Sequence, residues 1–159
     1  MAIWQFNIEF IPRKWAEENN YNASLLYSEE GYDTEIAWLN NQPINDFQSI
    51  LSNIFPPSKS WHENLLCWGN EKEHDIQVWF ENNEIDSFQF RMDLNQKLNS
   101  LISKVINTAK ELDCVFFYPE HEIITIANEF ELKKALNNSG AAKFINDPQG
   151  YLSSLPKST

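Results

Sequence analysis

Glycine is scarce in this chain. Gly31, Gly69, Gly140 and Gly150 are the only four among 159 residues, and no two lie close enough to build a phosphate-cradling loop. Nucleotide chemistry of the P-loop or dinucleotide type is thereby excluded. Basic residues are also few: 12 Lys and Arg stand against 23 Asp and Glu, for a net charge of −11. Nucleic acid is not an expected partner, because phosphates need a basic stripe and none exists, and an anionic membrane surface would repel the chain. Cysteine is limited to Cys67 and Cys114, which form no CxxC pair. Reduced, packed thiols are expected rather than a disulfide or a redox centre. The longest apolar runs, such as "CVFFY" at Cys114–Tyr118, fall far short of a bilayer span. The start, "MAIWQFNIEF", has no basic n-region or small-residue cleavage site, so a cytoplasmic protein is expected.

Catalytic signatures are equally thin. No Gly-x-Ser-x-Gly nucleophile turn occurs. Each of the three histidines, His62, His74 and His121, is followed directly by an acid. On a strand, adjacent residues point to opposite faces, and the i, i+3 or i+4 spacing of a helical metal site is missing. No metal, no cofactor and no enzymatic activity are expected. A carboxylate pair is the chemistry least easily set aside. Glu71, Glu73 and Asp75 share a face if their strand begins early, and Glu81, Glu84 and Asp86 crowd a turn, so a shared proton is geometrically available. Solvated or edge-protecting charge is the plainer reading of the same residues.

What the chain does have is lopsided charge mixed with tryptophan. From Glu29 to Asp86 there are twelve acids against only Lys59 and Lys72, a net of −10, whereas residues 95–159 carry seven of each sign. Trp38, Trp61, Trp68 and Trp79 lie in that acidic stretch. Fixed negative charge beside large rigid aromatic area suits docking to a basic protein. An acidic solvated face above an aromatic core fits the composition equally well. The partner-binding candidates are Glu71, Glu73, Asp75, Glu81, Glu84 and Asp86, with Trp38, Trp61 and Trp79.

Periodicity places these residues on elements. "WQFNIEFI" at 4–11 alternates as a half-buried strand that Pro12 stops. A short helix near Arg13–Asn19 gives way to weak structure as far as Gln42, which adds an element or wraps the sheet's open face. Asp46 caps a helix carrying Phe47, Ile50, Leu51 and Ile54, ended by Pro56-Pro57. A short strand is expected at Asn64–Gly69, and Ile76–Glu81 and Ile85–Leu94 should form a hairpin around Asn82-Asn83. Asn95 is expected to cap a helix whose stripe runs from Leu98 to Leu112. Then follow strand 114–118, a short extended piece at Glu122–Ile126, a helix from Asn128 ended by Asn138 and Gly140, and a helical turn near Ala141–Ile145. Beyond Tyr151 the chain should fray. The result is one α+β domain over 1–155 with a tail at 156–159, an antiparallel sheet with helices on one face, and a ferredoxin-like strand and helix order.

The blocks "WQFNIEFIPRKW", "SKSWHENLLCWGNEKEHDIQVWFENN" and "AKELDCVFFYPE" resemble small acidic bacterial proteins, some of which are similar to immunity partners of polymorphic or contact-dependent toxins. The resemblance implies a cytoplasmic protein that binds and occludes a basic toxin domain, often a nuclease, and has no activity of its own. A small-ligand-binding or regulatory α+β domain is the other reading, since sheets of this kind host many functions. The sequence leaves the oligomeric state open.

Overall fold

The structure, a computed structural model, describes residues 1–154; the expected tail at 156–159 lies outside the described residues. Its centre is an antiparallel sheet of seven strands: β1 (Gln5–Pro12), β4 (Pro57–Ser58), β5 (Leu65–Gly69), β6 (Asp75–Glu81), β7 (Glu84–Asp93), β8 (Cys114–Tyr118) and β9 (Ile123–Thr125). In space they run β4-β5-β6-β7-β1-β8-β9. The sheet exceeds the four strands of the expected ferredoxin-like order.

Alternation along the strands builds two unlike faces. Phe6, Ile8 and Phe10 on β1, Ile76 and Val78 on β6, Phe88, Phe90 and Met92 on β7, and Phe116 and Tyr118 on β8 form one continuous buried layer. Cross-strand pairing brings Ile8 opposite Phe90, and Phe90 opposite Ile76. Phe10 stacks on Phe88 with ring centroids 4.8 Å apart. Helices α4 (Asn99–Glu111) and α5 (Glu129–Asn137) cover this layer, α4 with a buried stripe of Leu101, Ile102, Val105, Ile106 and Ala109. Leu101→Ala is expected to lower the unfolding free energy by about 2–5 kcal/mol, as for other buried leucines; a neutral chemical denaturation curve would place the stripe outside the core.

The first part of the segment 13–42 does wrap the opposite face, so helices do not lie on one side only, while Trp38 near its end enters the main core. Helix α1 (Arg13–Glu18), a 3₁₀ turn at Ala23–Leu26 and the hairpin β2 (Tyr27–Ser28) with β3 (Gly31–Tyr32) cover its β8 end. There Ile11, Trp15, Ala16, Leu26, Val115, Phe117 and Ile124 form a second, smaller core. The short helix α2 (Glu35–Trp38) then reaches the β7 end of the sheet, where Thr34 Oγ1 donates to the Asp86 carbonyl and Gln42 bonds both backbone groups of Ile85. These side-chain bonds to main chain have no periodic signature, which is why the sequence reads as loop here.

Several boundaries differ from expectation for local reasons. Asp46 does cap α3 (Phe47–Ser52), accepting from the Ser49 N–H. Asn95 does not cap α4. The Asp93 carboxylate instead accepts the Asn95 N–H at 2.9 Å and Gln96 Nε2 at 3.1 Å, holding a turn that delays the helix to Asn99. Gly140 opens a helix rather than closing one. Ser139 caps α6 (Gly140–Asn146) by accepting from the Ala142 N–H. The chain is again helical in α7 (Pro148–Ser154), which runs past Tyr151, beyond which fraying was expected.

Candidate functional site

The face of the sheet opposite the main core is polar over its centre. On β1 Gln5, Asn7 and Glu9 alternate with the core residues, and on β7 Ser87, Gln89, Arg91 and Asp93 do the same. Register lines them up in rows: Asp75, Arg91 and Asn7 across β6, β7 and β1, then Gln77, Gln89 and Glu9. Sheet pairing therefore gathers polar groups far apart in sequence, and several of them are buried.

Glu9 is the extreme case, 1 % exposed. Burial pushes its carboxyl up to about 8, against a smaller lowering from the Ser87 hydroxyl and with a further raise from the Asp86 charge. Ser87 Oγ donates to Glu9 Oε1 at 3.2 Å, while Oε2 has no partner. Asn7 Oδ1, two residues back on the same face, is likewise buried and unpartnered, although its Nδ2 donates to the Tyr32 hydroxyl of the β2–β3 hairpin.

Asp75 is bound to the sheet rather than offered to a partner. It is 3 % exposed and takes both prongs of the Arg91 guanidinium, Nε to Oδ1 at 2.6 Å and Nη2 to Oδ2. The hydrogen bond to Asp75 raises Arg91 above its ordinary value. Asp75 is thus a correction to the partner-binding set. Glu71 and Glu73 are exposed at the β5–β6 turn, which Gln5 Nε2 fixes by donating to both of their carbonyls. Gly69 makes that turn possible: its φ is +81°, and a Cβ there would come within 2.4 Å of the His74 carbonyl oxygen.

The tryptophans separate into core and surface. Trp38 is 1 % exposed and stacks on Phe88 with centroids 6.2 Å apart, so it is a core plug and not an anchor. Trp61 is 65 % exposed. It meets the half-buried Trp79 edge-on at 5.2 Å, and the His62 ring also lies 5.2 Å from Trp79. Trp79 is therefore covered by the 61–62 turn and not by the 13–42 segment. Beside this cluster a cleft of about 270 Å³ is lined by Trp61, Cys67, Glu71, Asp75 and Gln77.

A second acidic group forms at the other end of β6, about 20 Å along the strand from Asp75 at roughly 3.3 Å per strand residue. The β6–β7 turn places Asn82 and Asn83 at positive φ, 53° and 64°, as a two-residue hairpin loop demands, and leaves Glu81 opposite Glu84. A register shift between Trp79 and Phe80 accompanies this end of the hairpin. Helix α2 adds Glu35, and the residue before its cap adds Asp33, acids that no local pattern in the sequence singles out. The Glu81 charge is the main influence that raises Glu35 above its ordinary carboxylate value, helped by the charges of Asp33 and Asp86. Asp86 is raised by burial and by the charges of Asp33 and Glu81. Glu35, Glu81, Glu84 and Asp86, closed by Leu39 and Ile85, line a cavity of about 120 Å³. Without Asp75, the candidate acids of the acidic stretch therefore make two groups, not one.

The histidine rings serve the backbone. His74 Nδ1 accepts the Asp93 N–H at 2.8 Å, and burial holds the ring below its usual value. His62 Nδ1 accepts the Asn64 N–H, and His121 Nε2 lies 3.0 Å from the Ala135 carbonyl. Cys67 and Cys114 are free, and burial raises both thiols. Among the described residues, no group of three or more His, Cys, Asp or Glu is arranged to hold a metal ion, and no helix is long and apolar enough to cross a membrane. Only one signal in the sequence bore on the missed residues: Glu9 lies on the polar side of an alternating strand, but nothing local says that this side is buried. Against protein-family models, curated proteins and solved structures alike, the chain matches nothing.

Proposed function

We propose that this chain is an acidic binding protein without catalysis of its own, of the immunity type, which covers a basic surface of a bacterial toxin domain. The observation that carries the reading is Trp61, two-thirds exposed on a Trp79 and His62 platform within a stretch whose net charge is −10. A large rigid aromatic held at the surface is the kind of group that dominates binding energy once desolvated. Surrounding carboxylates speed encounter with a cationic surface and make it salt-dependent.

Kinetics divide the labour. Trp61→Ala should mainly accelerate release, while Glu81→Lys with Glu84→Lys should mainly slow association, most strongly at low ionic strength. Because Trp61 is exposed, its removal should shift stability by no more than about 0.5 kcal/mol. The measurement is association and dissociation against the product of a neighbouring toxin gene at two salt concentrations, with thermal melts of each variant. Association indifferent to salt, and unchanged in the charge-reversed protein, would leave the acidic face as solvated surface. The small-ligand reading has one feature in its favour, the cleft beside Trp61, whose volume lies just below the range of about 300–1,000 Å³ typical of ligand pockets.

A further inference from the structure

We infer that β9 pairs with β9 of a second copy of this chain, joining two sheets edge to edge in a two-fold dimer. This goes beyond the acidic-binder reading and does not rest on it. The seven-stranded sheet ends in β4 on one side and β9 on the other, and the two edges are built differently. Strand β4 is Pro57-Ser58, preceded by Pro56 and followed by Lys59, and proline and lysine are residues that keep an edge from pairing. Strand β9 is Ile123-Ile124-Thr125, three β-branched residues with neither proline nor charge among them. One side of its backbone pairs with β8, and among the described residues no strand lies beyond the other side. Ile123 and Ile126 are about half exposed, and Phe130 in the first turn of α5 is more exposed still. Apolar side chains thus flank a strand edge that nothing blunts.

A second copy is the occupant that this edge and its charges fit. Antiparallel pairing of a strand with itself is symmetric, so the outward groups of each copy meet the same groups of the other in a contact that closes. With Ile124 opposite Ile124, Glu122 of one copy lies opposite Ile126 of the other. The two Glu122 residues then stay about 13 Å apart at roughly 3.3 Å per strand residue, beyond the screening length of about 8–10 Å. Ile126 shares the lining of a groove of about 400 Å³ with Arg13 and Lys110. Arg13 is already bound to Glu17 and Asp113, so Lys110 is the cation that Glu122 of the second copy meets. Overall repulsion between two chains of net charge −11 is also least here. Strands β4, β5 and β6, which come from the acidic stretch, occupy the far end of the sheet, whereas residues 95–159 carry seven charges of each sign. Trp61 and the β6–β7 turn therefore stay free, one set at each outer end of the dimer. Three residues per strand make a small interface, below roughly 1,200 Å², so the association is transient.

The test is sedimentation of the full chain from about 1 μM to about 1 mM, the interval over which weak complexes fill. The mass should rise from one chain towards two. Ile123→Asp should hold the protein at one chain throughout, and its melting should match the wild type because Ile123 is exposed. Glu122→Lys and Lys110→Glu should each weaken association roughly tenfold, since each sets like charges against one another across the seam. Combined in one chain they restore opposite charges and the net charge of −11, so association should return close to that of the wild type. Amide shifts of the isotope-labelled protein on concentration should centre on residues 110 and 122–130. A single chain mass up to about 1 mM would overturn the pairing. A dimer indifferent to Ile123→Asp, one that the charge swap does not restore, or one whose shifts centre on Trp61 would place the contact elsewhere and overturn it as well.

Discussion

Asp75→Ala is expected to destabilise the protein by about 3–5 kcal/mol, because it leaves the Arg91 guanidinium inside the sheet with no counter-charge. The side chains are 4 % and 11 % exposed, and both guanidinium prongs end on the one carboxylate. Taking two charges out of water is costly, and their mutual attraction offsets that only while both are present. Replacing the pair together, Asp75→Leu with Arg91→Met, should therefore cost much less than either single change, and the coupling between them should be large and favourable in a double-mutant cycle. Denaturant unfolding of the four proteins measures it. Additive losses would mean that water reaches the pair and screens it.

Glu9→Gln should change the pH dependence of stability more than any surface substitution. The folded state holds the Glu9 proton up to about pH 8, while the unfolded chain releases it near the ordinary glutamate value of about 4.3. Below both values the group contributes nothing. Between them the unfolded state binds fewer protons than the folded one, so stability falls as pH rises, and the loss is complete above the folded value. At about 1.4 kcal/mol for each pH unit between the two values, the full effect is on the order of 3–5 kcal/mol. An amide in place of the Glu9 carboxyl would retain the shape and the acceptor for Ser87 while carrying no titratable proton. The variant should match the wild type near about pH 4 and exceed it increasingly towards about pH 9. Melting both proteins across that interval decides the matter. Parallel curves would show Glu9 to be ionised and paired in the fold, contrary to its unpartnered Oε2.

The two predictions concern neighbouring positions on one face, and that face shows where local sequence stops being informative. Alternation in "WQFNIEFI" and in "IDSFQFRMDL" was enough to separate Phe6, Ile8, Phe88 and Phe90 from Asn7, Glu9, Gln89 and Arg91, because a strand's two-residue period is a property of the chain alone. Hence the β6–β7 hairpin, the α4 stripe and the α+β class were legible. Whether the polar side meets water was not. Glu9 is buried and Gln77 nearly so, because β1 pairs between β7 and β8 and the β2–β3 hairpin folds over that side. These contacts join residues from 25 positions apart, Asn7 with Tyr32, to 108 apart, Glu9 with Phe117.

Composition by itself determined the balance of charge, the scarcity of glycine and the mixing of acids with tryptophan. It could not say which tryptophan is surface: Trp38 and Trp61 both sit in polar, loop-like surroundings, yet one fills the core and the other stands out from it. Nor could it divide the six acids. Strand β6 runs between them and puts Glu71 and Glu73 at one end of the sheet, Glu81, Glu84 and Asp86 at the other, and a salt bridge removes Asp75 from either. Glu35 joins the second group only because Thr34 and Gln42 tie α2 to β7. Burial and like-charge proximity are set by distances through space, and a sequence specifies those only through the register and packing of elements that it brings together from far apart.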